Sequence, residues 1–328
     1  MSDAYRSAGV DTEAAAKAVS LIADLAAGTR RPEVADAVGG FAGLFSIGGG
    51  RLLAAATDGV GTKLEIARAT GRRSTVGIDL VAMCADDVVC TGAEPLFFLD
   101  YLAVGRVVPE QVAELVEGVA EGCRRAGCAL LGGETAEHPG VMPDDAFDLA
   151  GACVGIVGET DLLGPHRVRE GDVLIGLASS GLQANGYSLV RRVLLDGRSL
   201  DDLDPALGRS LADELLEPCT VYAPTVLSLH RAGKLHAAAH ITGGGITENV
   251  PRMLPDGLGA EMERGAWTEP PIFGLLQREA DLSDDDLFAT FNMGVGMVLA
   301  VAPEHADTVT ALGRVVGRVT GAAGVRII

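Results

Sequence analysis

The sequence predicts an α/β (α+β) fold in two domains, residues 1–166 and residues 167–328. A length of 328 residues is more than one typical domain needs. Short apolar runs alternate with helical patterns, as they do in layered folds of helices and sheets. A break at Gly164-Pro165-His166 separates the two halves and is followed by a new apolar run.

The N-terminal half begins with a predicted helix at residues 11–27, where Asp11 can cap the first turn and Gly28 ends the helix. Residues 29–50 lose this periodicity, and two glycine clusters predict loops there. Pro109 suits the first turn of a later helix. The other elements of this half are predicted strands at 52–57, 96–104, 128–131 and 149–157 and predicted helices at 79–89 and 109–127.

The C-terminal half continues the alternation of strands and helices. Its predicted strands lie at 172–178, 236–241, 258–263, 295–302 and 314–320, and its predicted helices at 186–195, 209–217 and 220–232, with further helices between the last strands. The whole chain contains no short repeat, low-complexity tract or long charge run.

Composition and charge limit the class of partner. Hydrophobic residues make up 48% of the chain and charged residues 22%, which predicts a sizeable core and argues against disorder. The net charge of −19 would repel nucleic acid, so no nucleic-acid partner is expected. An anionic substrate would need a metal ion to bridge it to the acidic protein.

The six cysteines have no CxxC spacing and mostly apolar neighbours, which favours reduced, buried thiols over a zinc knuckle. The N-terminus lacks the pattern of a signal peptide, and no apolar run is long enough to span a bilayer. We therefore expect a soluble cytoplasmic protein without a membrane partner.

The first motif that could bind phosphate follows the predicted strand at 52–57. Asp58 at a strand end is well placed to hold a cation, and Gly59 and Gly61 let the backbone approach phosphate oxygens. Lys63 could add positive charge. The run is not a Walker A loop, because threonine stands where that motif needs glycine before lysine. A tight turn with a surface Asp and Lys is the alternative.

Three acids then lie in an apolar helical segment. Asp79 and Asp86 are two helical turns apart on one face, and Asp87 follows directly. Burying such acids is costly unless they are paired or bind a metal, and magnesium prefers carboxylate and phosphate oxygens. A solvated acidic face is the alternative.

Glu134 follows the glycine pair 132–133, and we expect it in a loop at the end of the strand at 128–131. Such a position favours contact with a metal or a substrate. An ordinary glycine turn with a solvated glutamate is the alternative.

Two further glycine-rich segments join predicted strands to predicted helices. Gly181 and Gly186 belong to the first, where free backbone N–H groups and the helix dipole can bind an anion. A purely structural turn is the alternative there. His240 precedes the second, which contains Thr242 and the glycines 243–245. Beside a loop of the phosphate-binding type, this histidine is a candidate acid–base group.

The order of the motifs identifies a family resemblance. The chain resembles the phosphoribosylformylglycinamidine cyclo-ligases, also called AIR synthetases, over nearly its whole length. The motifs that carry the resemblance are, in order, YRSAGVD (5–11), TDGVGTK (57–63), GIDLVAM (77–83), GAEPLFFLDY (92–101), GGETAE (132–137), NGYSLVR (185–191), HITGGG (240–245) and FNMGVGM (291–297).

The resemblance implies a reaction, a fold and an assembly. Formylglycinamidine ribonucleotide and ATP would give aminoimidazole ribonucleotide, ADP and phosphate in purine biosynthesis. Phosphorylation of the amide oxygen makes an iminophosphate, which an internal nitrogen attacks to close the ring. Similar proteins combine an N-terminal sheet domain with a C-terminal α/β sandwich domain, form homodimers through their N-terminal sheets, and bind ATP with Mg²⁺ near that interface.

The resemblance also assigns roles to residues. Asp58, Asp87 and Glu134 would bind the metal and the ATP phosphates, with Asp79 in support. His240 and Asn185 would be catalytic, on the substrate side of the site. The implied nucleotide-binding positions are Asp58, Gly59, Gly61, Lys63, Gly181, Gly186, Thr242, Gly243, Gly244 and Gly245.

Two positions depart from the family pattern. Gln183-Ala184 stands where the family commonly has His-Ser, so a histidine at 183 is not essential here unless the protein is impaired. Asp86 stands where asparagine is usual. Three alternatives stay open: thiamine-phosphate kinase and selenophosphate synthetase, which share ATP-binding acids in the same superfamily, and a nonenzymatic nucleotide-binding regulator, which only the Gln183 departure favours. The first two tend to have Asp where this chain has His240, and the synthetase usually has a reactive Cys near its N-terminus.

Overall fold

The computed structural model describes residues 12–35 and 40–328. The predicted cap Asp11, the first family motif and Gly39 lie outside the described residues. The predicted first helix is confirmed as α1 (Thr12–Ala27). The other helices of the first half are α2 (Leu64–Thr70), α3 (Ser74–Cys90) and α4 (Pro109–Ala126).

The first half is built on a five-stranded sheet with the order β1-β2-β5-β3-β4. Its strands are β1 (Gly43–Gly48), β2 (Arg51–Gly59), β3 (Glu94–Val104), β4 (Ala129–Glu137) and β5 (Phe147–Gly158). Only the β3–β4 pair is parallel, because α4 connects these two strands as a crossover. Helices α3 and α4 pack against each other, and α3 also packs on β2 and β5.

The second half is built on a six-stranded sheet with the order β13-β10-β12-β6-β11-β9. Its strands are β6 (Val173–Ala178), β9 (Ala237–His240), β10 (Gly259–Met262), β11 (Val295–Val301), β12 (Arg314–Thr320) and β13 (Gly324–Ile327), and β7 (Leu203–Asp204) forms a separate pair with β8 (Arg209–Ser210). All seven residues of β11 are buried, as a continuous apolar run predicts for a strand covered on both faces.

Seven helices belong to the described part of the second half. They are α5 (Tyr187–Leu194), α6 (Leu211–Leu215), α7 (Ala223–Arg231), α8 (Gly245–Asn249), α9 (Pro271–Ala280), α10 (Asp284–Thr290) and α11 (Ala306–Val309). Helix α3 of the first half contacts both α7 and β9 of the second. The junction between the halves is therefore built around the helix that carries three acids. None of the helices within the described residues is both long and apolar enough to cross a membrane.

The structure corrects two expectations about local structure. Residues 132–134 were expected to form a loop, but they continue β4, which pairs with β3 as far as Glu137. Loops were expected at the glycine clusters of residues 29–50, but β1 lies in this segment and includes Gly48 of the second cluster. The boundary between residues 166 and 167 stays a prediction, and it falls in the connection between β5 and β6.

Candidate active site

The first acid of α3 forms a buried ion pair. The Nζ atom of Lys63 lies 2.7 Å from Oδ2 of Asp79, and neither side chain is exposed. The same ammonium group donates to the backbone oxygens of Gln183, at 3.0 Å, and Glu217, at 2.7 Å. Burial lowers the pKa of Lys63, but the charge of Asp79 together with Tyr187 and Cys219 outweighs burial and raises that pKa. Three oxygen atoms thus surround the ammonium group, and the expected contact of Lys63 with phosphate stays a prediction.

The second acid of α3, Asp86, accepts a hydrogen bond from the start of α7. Oδ1 of Asp86 accepts the N–H of Tyr222 at 2.9 Å and also interacts with the N–H of Ala223. The side chain is fully buried, and its Oδ2 has no hydrogen-bond partner among the described residues. Burial raises the pKa of Asp86 to about 7, against the opposing effect of His240. Asp86 therefore acts as a capping acceptor for α7 that is supplied by another helix.

The third acid of α3 holds the candidate catalytic histidine. His240 lies at the end of β9, and its Nδ1 is 2.9 Å from Oδ1 of Asp87. The histidine side chain is 3% exposed, whereas that of Asp87 is 19% exposed. Burial lowers the pKa of His240, but the hydrogen bond to Asp87 and the charges of Asp87, Asp86 and Asp58 outweigh it and raise that pKa. The arrangement fixes the ring and favours its protonated form.

Asp58 completes an acidic cluster with Asp87. It is exposed near the end of β2, and its Oδ1 accepts the N–H of Gly59 at 2.7 Å. Surrounding protein atoms raise the pKa of Asp58, and repulsion from Asp87 raises it further. Two carboxylates that repel each other at an open position have the chemistry of a cation-binding pair.

Glu134 does not join this cluster within one chain. Its strand β4 is separated from the strand of Asp58 by β3 and β5, which places it three strand spacings, about 14 Å, away. Glu134 pairs with Tyr101, whose side chain is exposed. Across residues 12–35 and 40–328, no group of three or more His, Cys, Asp and Glu side chains is placed to hold a metal ion. Asp58, Asp87 and Glu134 are therefore not grouped in the part of the chain that the structure describes, and their role as a metal-binding set stays a prediction.

Two glycine-rich turns lie side by side next to the acids. The side-chain oxygen of Asn185 would lie 3.7 Å from a Cβ added to Gly243. The amide nitrogen of Asn185 is buried and has no hydrogen-bond partner in the part of the chain that the structure describes. Gly186 has φ 78°, and a Cβ there would come 2.1 Å from the ring of Phe291. Only glycine fits both the conformation and the space. The sequence-predicted Asn185 and the 243–245 turn are therefore brought together.

Two asparagines that the sequence did not single out hold these turns. Asn249 donates to the backbone oxygens of Thr242, Gly243 and Gly245 at 3.4, 3.1 and 2.8 Å. Asn292 donates to the oxygen of Gly181 at 2.9 Å and accepts from the Ser179 hydroxyl at 2.9 Å. Asn292 belongs to the family motif FNMGVGM (291–297), so the sequence did contain a signal for this residue. Asn249 gave none beyond following a glycine turn.

The side chain of Gln183 is hydrogen-bonded to Tyr222 rather than to an acid. Its backbone has φ 60°, its side chain is buried, and its Nε2 donates to the Tyr222 hydroxyl at 3.1 Å. That hydroxyl in turn donates to the oxygen of Ala178 at 2.8 Å, and the ring of Tyr222 meets His240 edge to face at 6.4 Å. Gln183 therefore helps to hold the Tyr222 ring that packs against His240. The Oε1 atom of Gln183 has no hydrogen-bond partner within the described ranges.

Family models match both halves of the chain. Residues 39–157 match the N-terminal domain of AIR synthase related proteins, and residues 169–328 match their C-terminal domain. The phosphoribosylformylglycinamidine cyclo-ligase of Acetivibrio thermocellus is 50% identical over 310 residues, which cover 93% of this chain and 91% of the relative. The protein of the same name from Bacillus cereus strain G9842 is 48% identical over 338 residues, covering 99% and 98%.

Solved structures show the same fold at lower identity. A thiamine-monophosphate kinase from Stenotrophomonas maltophilia superposes with a TM-score of 0.66 at 19% identity, covering 92% of this chain and 93% of that one. AaThiL, solved with AMPPCP and TMP, superposes with a TM-score of 0.68 at 17% identity, covering 94% and 92%. These likenesses establish the two-domain architecture.

Proposed function

Because this chain belongs to the phosphoribosylformylglycinamidine cyclo-ligase family, we propose that the junction carrying Asp58, Asp87 and His240 is its active site. The enzyme closes formylglycinamidine ribonucleotide to aminoimidazole ribonucleotide in purine biosynthesis, while ATP becomes ADP and phosphate. The observation that carries the assignment of the site is the Asp87–His240 hydrogen bond beside Asp58.

The reaction needs positioning and proton transfer more than a strong nucleophile. An amide oxygen is a poor leaving group until phosphorylation makes it an iminophosphate, and the attacking nitrogen is in the same molecule. Ring closure then releases phosphate and a proton. Nδ1 of His240 is hydrogen-bonded to Asp87. Nε2 is therefore the ring nitrogen that exchanges a proton with the bound substrate. Asn185, with its free buried amide, is the neighbouring group that would orient the substrate.

The carboxylates of Asp58 and Asp87 fit a magnesium ion. Magnesium binds hard oxygen ligands, often through one or two carboxylates and the phosphates of a nucleotide. The mutual repulsion of these two acids is the feature that a cation would relieve. When bound, the ion would neutralise the charge of the transferring phosphate group. The adjacent backbone of Gly59 and Gly61 would lie against the phosphates.

We further propose a homodimer through the open face of the first sheet. Large apolar side chains are exposed there: Leu96 at 39%, Leu99 at 40%, Tyr101 at 42% and Leu131 at 65%. An exposed apolar surface of this kind marks an interaction site, and a second copy is the partner that family membership supplies. Because Glu134 pairs with Tyr101, it belongs to the same region and would contact the nucleotide near the subunit interface.

The first experiment tests the reaction itself. Purified protein is given formylglycinamidine ribonucleotide, ATP and magnesium, and aminoimidazole ribonucleotide and ADP are both measured directly. We expect equal amounts of the two products, and none after magnesium is chelated. ADP without the ring-closed product would overturn the assignment.

The second experiment tests the dimer. Leu131→Asp should shift the sedimentation coefficient from dimer to monomer at micromolar protein concentration. Leu203→Asp is the matched control, because Leu203 is 78% exposed but lies on β7, outside this sheet. A wild-type chain that sediments as a monomer would exclude the proposed assembly.

A further inference from the structure

Three of the six cysteines converge where α4 ends and β4 begins. Cys123 lies in the last turn of α4, Cys128 precedes β4, and Cys153 lies in β5. The thiols of Cys123 and Cys153 both interact with the sulfur of Cys128. All three are free thiols, and the proposed reaction uses none of them. The proposed reaction therefore does not explain why these three cysteines lie together.

The end of α4 fixes the contact between Cys123 and Cys128. Gly127 has φ 76°, its N–H donates to the oxygen of Arg124 at 3.3 Å, and the N–H of Cys128 donates to the oxygen of Cys123 at 3.0 Å. This pair of hydrogen bonds defines a Schellman motif. The two side chains that customarily touch in that motif are here both cysteines. The backbone therefore holds their sulfur atoms together.

Strand pairing places the third thiol on the same face of the sheet. Phe98 of β3 pairs with Cys153 on one side and with Leu130 of β4 on the other. Cys128 is two residues before Leu130, so the side chains of Cys128 and Leu130 lie on the same face of the sheet. Cys153 is 0% exposed and Cys123 is 2% exposed, whereas Cys128 is partly exposed. Cys128 is thus the thiol of this cluster that a small solute reaches.

We propose that Cys128 is a peroxide-reactive thiol and that Cys123 resolves its oxidised form as an intramolecular disulfide. The Cys128 thiolate attacks hydrogen peroxide, the O–O bond breaks, and a sulfenic acid forms with release of hydroxide, which takes a proton to become water. The Cys123 thiol then attacks that sulfur, the S–O bond breaks, and a second water leaves. Peroxide is reduced by two electrons, and the two thiols are oxidised to one disulfide.

The local electrostatics favour this division of roles. Interaction with the neighbouring Cys123 and Cys153 thiols stabilises the thiolate of Cys128 and lowers the pKa of Cys128. The same contact raises the pKa of Cys123, and burial adds to it. The thiolate is the nucleophile towards peroxide, so the attacking residue is the one that is both ionised and accessible.

The test follows each cysteine of the full-length protein by peptide mass mapping after treatment with hydrogen peroxide and dimedone, a trap for sulfenic acids. In the wild type we expect joint loss of the Cys123 and Cys128 thiols, a linked peptide pair lighter by two hydrogens, and little trapped adduct. Cys123→Ser should convert this outcome to a dimedone adduct on Cys128. Cys128→Ser should leave Cys123 as unreactive as the buried Cys219.

The other cysteines serve as internal references in the same samples. Oxidation of Cys128 at the rate of buried Cys84 or Cys90 would overturn the proposal. A linked pair of Cys128 with Cys153 would overturn the choice of the resolving residue. Circular dichroism of each variant shows whether the fold is kept, and Cys128→Ala replaces a serine variant that fails to fold.

Discussion

The ammonium group of Lys63 and the carboxylate of Asp79 are joined at 2.7 Å with no exposure to solvent. The pair also binds the second half of the chain, since Lys63 donates to the oxygen of Glu217 and Asp79 accepts the N–H of Cys219 at 2.7 Å. Asp86 and Asp87 make their contacts to the second half from the same helix. Three acids of α3 thus fasten the two halves together, and only the last of them reaches the candidate site.

Lys63→Met should destabilise the protein severely, because it leaves Asp79 buried without a counter-charge. Loss of one partner of a buried pair costs about 3–5 kcal/mol. Urea denaturation at neutral pH measures the change. The matched control is Arg72→Met, since Arg72 pairs with Asp213 across the same two halves at 2.7 Å but half-exposed, where about 1 kcal/mol or less is expected. Equal losses for the two variants would contradict a structural role for Lys63.

Asp58→Asn should raise the magnesium concentration needed for half-maximal turnover, because one of two candidate carboxylate ligands is lost. We expect a shift of at least about tenfold, which corresponds to the loss of one charged contact of about 1.4 kcal/mol. Asp148→Asn is the control, since Oδ1 of Asp148 also accepts the next backbone N–H, at 2.8 Å, on β5. An unchanged magnesium requirement in the Asp58 variant would remove this acid from the metal site.

His240→Ala should reduce kcat by about 10²–10⁴-fold, the usual effect of a general acid–base group, while ATP affinity changes far less. Steady-state kinetics and calorimetric ATP titration separate the two quantities. His236→Ala is the matched control, because His236 also pairs with an aspartate, Asp172 at 2.7 Å, and directly precedes β9. Unchanged kcat in the His240 variant would exclude the histidine from the mechanism.

His230 should make stability fall as the solution is acidified. Burial and the charge of Arg167 lower the pKa of His230 in the folded protein, whereas an unfolded histidine titrates near about 6.5. The unfolded chain therefore binds more protons, so the contribution is complete above the unfolded value and is lost as pH falls below it. Free energies of unfolding at several pH values between 7.5 and 5 should decline less steeply in His230→Asn. Parallel curves for variant and wild type would refute this.

Most of the helices and strands could be predicted from the sequence, but the pairing between strands could not. Apolar runs located β2, β5 and β11, since burial on a sheet face or on both faces leaves that pattern in the chain. The end of β4 was missed because it is exposed along most of its length and glycine-rich, and its strand state depends on pairing with β3. Local patterns contain no information about such pairing.

The acids of α3 show that the contact partners of the site residues could not be predicted from the sequence either. Their apolar surroundings indicated that they need partners, which is correct. The partners lie far along the chain: Tyr222 is 136 residues from Asp86, and His240 is 153 residues from Asp87. Family resemblance selected Asp58, Asp87 and His240, whereas the separation of Glu134 from them depends on strand order. The position of Lys63 depends equally on how the two halves meet.

Gln183→His should leave turnover within about threefold of the wild type, because the side chain at 183 hydrogen-bonds to the Tyr222 hydroxyl rather than to an acid. A histidine can keep one N–H donor for the Tyr222 hydroxyl. Gln183→Ala should lose that hydrogen bond and about 1 kcal/mol of stability. The matched measurement is kcat together with urea denaturation for both variants. A gain in kcat of a hundredfold in Gln183→His would instead show that residue 183 takes part in the chemistry and that this chain is an impaired enzyme.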